Sequence, residues 1–362
     1  MYQVREKTAL STFKIAATYI GTVVGAGFAS GQEILQFFGH FRGNGFWGLL
    51  LATVLFGIYG WAILDLGMRL KARSHLEVVH YAGGRWLGTV IDYVITFFLF
   101  GAFTVMIAGA GAIFAEQFHW PAIAGGGIMA LITCVTVMLG LSGVINSISL
   151  VVPVMLGSVV AIGVWTVLAT GFHLNPVVGA VPTKAAVPLW PLSAVVYVSY
   201  NLVMAVAVLA PMGARYQQPR LLVKGAVLGS LGLGLGALAI FLSLAPNLPP
   251  AAQFQIPMVY VAGGLNPTLK TIYSLVLLAE IYTTAVGSLY GFVARLLPFN
   301  GSAARFYIMG AGVAAFLASK LGFTTMVRTL FPAVGYAGLL LLAGLTYTLV
   351  KGGKDRKNQS GG

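Results

Sequence analysis

Charge is what this chain has least of. Only 8% of its 362 residues are Asp, Glu, Lys or Arg, and 8 of those are acids. A soluble domain carries about 25%. With so few charges, no water-facing surface can be built over a core this size, so lipid must solvate much of the chain. Cysteine is nearly absent: Cys134 stands alone inside an apolar run. That excludes an internal disulfide framework and leaves no pair for redox or metal chemistry. Period-two alternation is missing too, and with it the mark of a transmembrane barrel, whose strands run about 10 residues. The histidines His40, His75, His80, His119 and His173 fall at span ends or in loops. No Ser/His, Asp/Asp or His–metal constellation therefore sits at membrane depth, and an enzyme is not expected.

What is present is apolar. The chain is 58% hydrophobic with mean hydropathy +0.91. Apolar runs of about 20 residues or more recur, enough to cross a hydrocarbon core of roughly 30 Å. The pattern predicts an all-α membrane protein of ten spans, roughly 10–38, 45–70, 86–117, 122–141, 146–170, 189–211, 221–245, 267–297, 303–321 and 325–350. Turn chemistry separates several of them: GHFRGNG, HWP, LSG and APNLPP.

The net charge of +13 forms no basic face or motif for nucleic acid. The positive residues sit at span ends instead. With the N-terminus in the cytoplasm, most Lys and Arg fall on that side, leaving Arg42, Lys184, Lys270, Lys320 and Arg328 on the other. An even number of spans then keeps both termini cytoplasmic. The polar start MYQVREKTALSTFK precedes a run too long for a signal-peptide core and is read as part of a retained first helix. KGGKDRKNQSGG, residues 351–362, reads as a short disordered cytoplasmic tail.

The third and eighth spans are each roughly 30 residues long and hold the same place in each set of five. Spans that long must tilt. Each half also opens with a span expected to break. Five is odd, so a second set of five runs inverted to the first. Residues 1–170 and 171–350 are accordingly read as two inverted repeats, an architecture that places a binding site at the bilayer midplane. The alternative is a ten-helix bundle whose lengths agree by coincidence.

The segment YIGTVVGAGFASGQEILQFF in the first span carries Gly21, Gly25, Gly27 and Gly31. Glycine costs about 1 kcal/mol against alanine inside a helix. A break at Gly25 and Gly27 would free backbone groups, tolerable at membrane depth only inside protein or beside a polar cavity. Freed carbonyls suit a cation, and freed amides suit a carboxylate. Close helix packing is the alternative, since Gly21-x-x-x-Gly25 and Gly27-x-x-x-Gly31 match small-residue spacing. Gln32 and Glu33, a turn or two beyond, favour a wet vestibule. A dinucleotide loop is excluded, because no strand precedes the glycines and Ser30 stands where the third would be.

GTVVGAGFASGQEILQFF resembles the signature of the YkvI-type family of bacterial membrane proteins. That family resembles the amino acid–polyamine–organocation superfamily with its LeuT-type inverted-repeat fold. The match is close over about 20 residues; elsewhere it rests on hydropathy and helix lengths. The resemblance implies a bacterial cytoplasmic (inner) membrane transporter without an organic cofactor, and a small organic solute, an amino acid or amine, as its partner. It implies a sodium site at the carbonyls of Gly21 and Val24 with the hydroxyls of Thr283 and Thr284. It implies substrate contacts at Ala26, Gly27 and Phe28, at a sixth-span break near Ser199, Tyr200 and Asn201, and at Phe103 of the third span. Some proton-coupled relatives carry a lysine in the fifth span. NSISLVVPVMLGSVVAIGVWTVLA has none, which favours sodium over that scheme and leaves open a proton scheme based on Glu280.

Glu280, Thr283 and Thr284 share one helix face by i, i+3, i+4 spacing, and Gly287 extends it as a point of close approach. A carboxylate at membrane depth is costly and usually functional. Glu280 is expected to ligate the cation or carry a proton, against the alternative of a structural carboxyl bonded to a neighbouring helix. Glu33 is expected to line the entry path or to pair with Arg328 or Lys270. Asp65, Asp92 and Glu116 lie near span ends and read as structural. Together these features point to cation-coupled symport. A channel would need a continuous polar stripe, whereas the polar groups here cluster at mid-depth; a non-transporting receptor remains the other reading.

Overall fold

The computed structural model describes residues 2–139, 141–174, 185–216, 218–296 and 302–360, and among these it holds helices and no strand. Lys184 lies outside them. The first expected span is a helix in three pieces: α1 (Tyr2–Val23), α2 (Ala26–Ala29) and α3 (Gln32–Phe37). Then follow α4 (Gly43–Leu70), α5 (His75–Phe118), α6 (Ala122–Met138), α7 (Leu141–Thr170), α8 (Trp190–Arg215) and α9 (Pro219–Leu244). A short α10 (Pro257–Leu265) precedes α11 (Pro267–Leu296), α12 (Ser302–Ala318) and α13 (Phe323–Ser360). Each expected span thus coincides with a helix, the first with a broken one. Seven described helices are long and apolar enough to cross a membrane, and α6 is a shorter apolar helix.

Local chemistry sets the ends. Ser74 and Glu77 form a capping box at the start of α5, with the Ser74 hydroxyl accepting from the Leu76 amide at 3.2 Å. Gly84, at φ 76°, separates that first segment from the long span that follows. At the start of α11, the Asn266 side chain accepts from the Thr268 amide at 2.8 Å. α13 continues to Ser360, where the sequence suggests a disordered tail.

The expected break in the sixth span is absent. α8 is continuous, with no glycine or proline from Ser193 to Ala210. The polar side chains bond to backbone instead. Asn201 Nδ2 donates to the Tyr197 carbonyl one turn back at 2.9 Å, and Ser199 Oγ donates to Gly335 O at 2.7 Å. Gly287 is not a contact point either: a Cβ placed there would meet open space.

The middle of the bundle is packed on small residues. α4 and α8 cross where Gly67 lies on the Ala210 carbonyl and Gly213 lies on the Leu64 carbonyl; a Cβ at either would collide with backbone. Such contacts are how membrane helices associate without a hydrophobic drive between them. α5 packs along α11 and α13, while α1 packs on α9 and α8. The broken first span is held between these groups, with α2 against α11 and α7.

Candidate substrate and ion site

The break begins where the α1 hydrogen-bond ladder stops. Val24 N–H donates to Ile20 O at 2.7 Å, and the next such bond is Ala29 N–H to Gly25 O at 3.0 Å. Gly25 between them is extended, at φ −139° and ψ −175°. The carbonyls of Gly21, Thr22, Val23 and Val24 are therefore left without a helical backbone partner. Gly27 is not itself a break: it lies within the single turn of α2. The second interruption is at Gly31, whose φ of 83° is left-handed and accessible at low cost only to glycine. Ser30 bridges the two, its hydroxyl donating to Gly27 O at 2.8 Å and accepting from the Gln32 amide at 3.2 Å.

α11 lies against this interruption. A Cβ at Gly25 would stand 3.7 Å from Thr284 Oγ1. Nearer the α10 end, the Tyr273 hydroxyl donates to Ala29 O at 2.5 Å. Glu280 sits between these two contacts along α11. It is 2% exposed, and its Oε2 is buried with no hydrogen-bond partner. Thr283 is buried, and its hydroxyl donates to Glu280 O at 3.0 Å. A hydroxyl bonded in that way keeps lone pairs for a cation. The structure thus brings Thr284 to Gly25, with Glu280 one turn back on the same face of α11 and Thr283 beside it on that helix. An uncompensated buried carboxyl is expensive. The oxygen set around it, hydroxyls and freed carbonyls with one acid, is the kind a hard cation takes.

Glu33 does not pair with Arg328 or Lys270. Its Oε2 accepts a hydrogen bond from the Tyr200 hydroxyl, and its Oε1 lies against the Cα of Gly27. Both Glu33 and Tyr200 are buried. Tyr200 also stacks on Phe37, with ring centroids 5.7 Å apart, and lies 5.1 Å from Phe331 and 6.0 Å from Phe98. The α5 aromatic at this cluster is therefore Phe98, not Phe103, which is buried elsewhere on the helix with no ring partner among the described residues. Phe37, Phe98, Tyr273 and Phe331 escaped sequence reasoning, because aromatic residues are abundant in any membrane helix. The one available signal was the seven-residue spacing of Tyr273 and Glu280, two turns along one face.

The α10 end is closed over the break. Met258 N–H donates to Ser30 O at 3.0 Å, and Gln32 Nε2 reaches Phe254 O at 3.0 Å and Thr324 Oγ1 at 3.1 Å. Glu116 accepts from the Gln255 amide at 2.7 Å, and Gln255 Oε1 accepts from the Phe323 amide at 3.1 Å. Toward the opposite end of α5 and α11, Asp92 pairs with Arg295 and lies 2.9 Å from His75 Nε2, tying the two helices together. Asp65 pairs with Arg69 one turn on at 2.6 Å. Asp65, Asp92 and Glu116 are thus engaged in local structure.

Broken first helix, paired long helices and a closing segment before α11 define a membrane protein of the LeuT-type fold. Solved structures share it. MhsT in complex with L-phenylalanine aligns with a TM-score of 0.58 at 16% identity, covering 91% of this chain and 86% of that one. The Eremococcus coleocola manganese transporter aligns at 0.58 with 15% identity, over 97% of this chain and 79% of its own. Mhp1, a nucleobase-cation-symport-1 family transporter, aligns at 0.51 with 14% identity, over 94% and 78%. No protein-family model matches the chain. By sequence it is 31% identical over 346 residues to the uncharacterized membrane protein YkvI of Bacillus subtilis (strain 168), spanning 94% of this chain and 96% of that protein. It is also 26% identical over 323 residues to the protein YyaD of the same organism, with 89% and 92% covered. The chain belongs to the YkvI family.

Proposed function

We propose that the chain is a cation-coupled secondary active transporter, a symporter of a small organic solute such as an amino acid or amine. Sodium is the favoured ion, held by the carbonyls of Gly21 and Val24 and the hydroxyls of Thr283 and Thr284. Glu280 either completes that set or carries a proton in its place. The solute sits beside the ion, against the backbone of Ala26, Gly27 and Phe28 and the side chain of Tyr200. Residues 1–170 and 171–350 act as inverted repeats, one bundle rocking against the other, in a bacterial cytoplasmic membrane with both termini inside.

One observation carries this reading: a helix interruption with freed carbonyls lies against the Thr284 hydroxyl of α11, one turn from the buried, unpartnered carboxyl of Glu280. An unwound segment at membrane depth is stable only where it lines a polar site, and an intramembrane acid opposite it marks an ion path. The likeness to solved transporters supports the reading through the fold. The test is purified protein in liposomes, offered labelled amino acids and amines under imposed sodium and proton gradients. Uptake driven by one gradient and abolished when it is collapsed is expected. Ion flux without gradient-driven uptake of any solute would contradict symport and favour a channel.

A further inference from the structure

The carboxyl of Glu33 is not needed for the ion site, yet it is 4% exposed and deep in protein. It has no cationic partner: the ion pairs among the described residues join Arg69 to Asp65, and His75 and Arg295 to Asp92. Its protein donor is the single hydroxyl of Tyr200. Around it stand π faces. Phe331 and Tyr200 lie 5.1 Å apart, Phe98 is 5.5 Å edge-on from Phe331, and Phe37 is 5.7 Å from Tyr200. Beside Tyr200, at 5.6 Å, the Tyr197 ring carries a buried hydroxyl with no hydrogen-bond partner.

A carboxylate set among aromatic faces is chemistry for an ammonium group, which gains a charge-assisted hydrogen bond and cation–π attraction together. It is poor chemistry for an anion. The basic groups nearest in sequence to these rings are His40 and Arg328. Burial, and then the charge of Arg328, lowers the His40 pKa to about 4, so its imidazole is neutral at pH 7. Arg328 is exposed. Among the described residues no lysine or arginine is buried, so a carboxylate on the solute would find no such partner here. An ammonium would supply three donors and a charge where Tyr200 supplies one neutral donor.

We propose that Glu33, with Phe37, Phe98, Tyr200 and Phe331 around it, is the recognition site for the positively charged nitrogen of an organic amine that lacks a carboxylate. The Tyr200 hydroxyl holds the carboxyl until the amine displaces it. This rests on the transport reading above, of which it names the solute class.

The test is ligand binding to the purified full chain at saturating sodium. The probes are 2-phenylethylamine and n-butylamine, their neutral counterparts 2-phenylethanol and n-butanol, and L-phenylalanine. The amines should bind saturably, and the alcohols and phenylalanine at least about tenfold more weakly, the worth of a charged hydrogen bond. Glu33→Gln should lose amine affinity by a similar factor. Tyr200→Phe, which keeps the ring and removes the competing donor, should bind amines several-fold more tightly; it gives an independent reading should Glu33→Gln fail to fold. Equal binding of amines and alcohols, phenylalanine binding as tightly as the amine, no amine binding, or unchanged affinity in either variant would overturn the proposal. Sodium-driven uptake of another solute alongside such a result would leave the transport reading in place, whereas the absence of any gradient-driven uptake would remove both.

Discussion

At the scale of single residues, the proposed ion site rests on Glu280, Thr283 and Thr284 of α11 and on the carbonyls freed ahead of Gly25. Thr284 approaches Gly25, and Glu280 presents an unpartnered oxygen nearby. If Thr284 is the proposed sodium ligand, Thr284→Ala removes one ligand oxygen and leaves the helix intact, so sodium affinity should fall at least about tenfold with little change in folding. Sodium titration of thermal stability reads both. Glu280→Gln removes the charge and keeps the shape. Uptake driven by a proton gradient should vanish if Glu280 carries the proton, and sodium-driven uptake should weaken if it is a ligand; unchanged response to both gradients would leave Glu280 structural. The sequence showed the i, i+3, i+4 face, because helical periodicity fixes it. It did not show Glu33 bonded to Tyr200, because that contact joins residues of two spans far apart in the chain.

At the scale of elements, the first span is the informative one. Its break was legible because glycines cluster there, but its form was not. Gly27 is helical, and Gly31 makes the second interruption by a positive φ that sequence alone does not declare. The two glycines should respond differently to substitution. Gly25 has φ −139°, and a Cβ there would be at ordinary contact distance from Thr284, so Gly25→Ala should fold with stability within about 1 kcal/mol of wild type. Gly31 has φ 83°, and its Cβ would press on Met258 Cγ at 2.8 Å, so Gly31→Ala should cost about 1–3 kcal/mol. Thermal unfolding in detergent separates the two; equal losses would contradict the assignment. The sixth span misled in the other direction. An expected break was carried over by resemblance, while Ser193 to Ala210 holds no residue that breaks a helix.

At the scale of the whole molecule, hydropathy and breaker chemistry were sufficient for the order of the helices, of which seven described ones are long and apolar enough to cross a membrane. A hydrocarbon slab leaves the backbone little choice but helix. The eighth span, expected at 267–297, is α11 at Pro267–Leu296. What hydropathy cannot carry is the packing of one span on another, which rests on small-residue contacts such as Gly67 on Ala210. Because α4 meets α8 there with no room for a side chain, Gly67→Leu should separate them and destabilise the bundle by several kcal/mol. Size-exclusion profiles and melting in detergent would show it, and a monodisperse variant of wild-type stability would contradict the packing described.

We propose that the interrupted first span and the polar face of α11 form one cation site. Sodium-dependent stabilisation of the purified protein tests this, with potassium as the control and Thr284→Ala beside wild type. A ligand that binds only the folded state raises its stability in proportion to the logarithm of its concentration. A saturable rise in melting temperature with sodium is expected in wild type, absent with potassium and lost or shifted to at least about tenfold higher sodium in Thr284→Ala. A wild-type protein whose stability ignores sodium, or a variant that responds to sodium as wild type does, would contradict it.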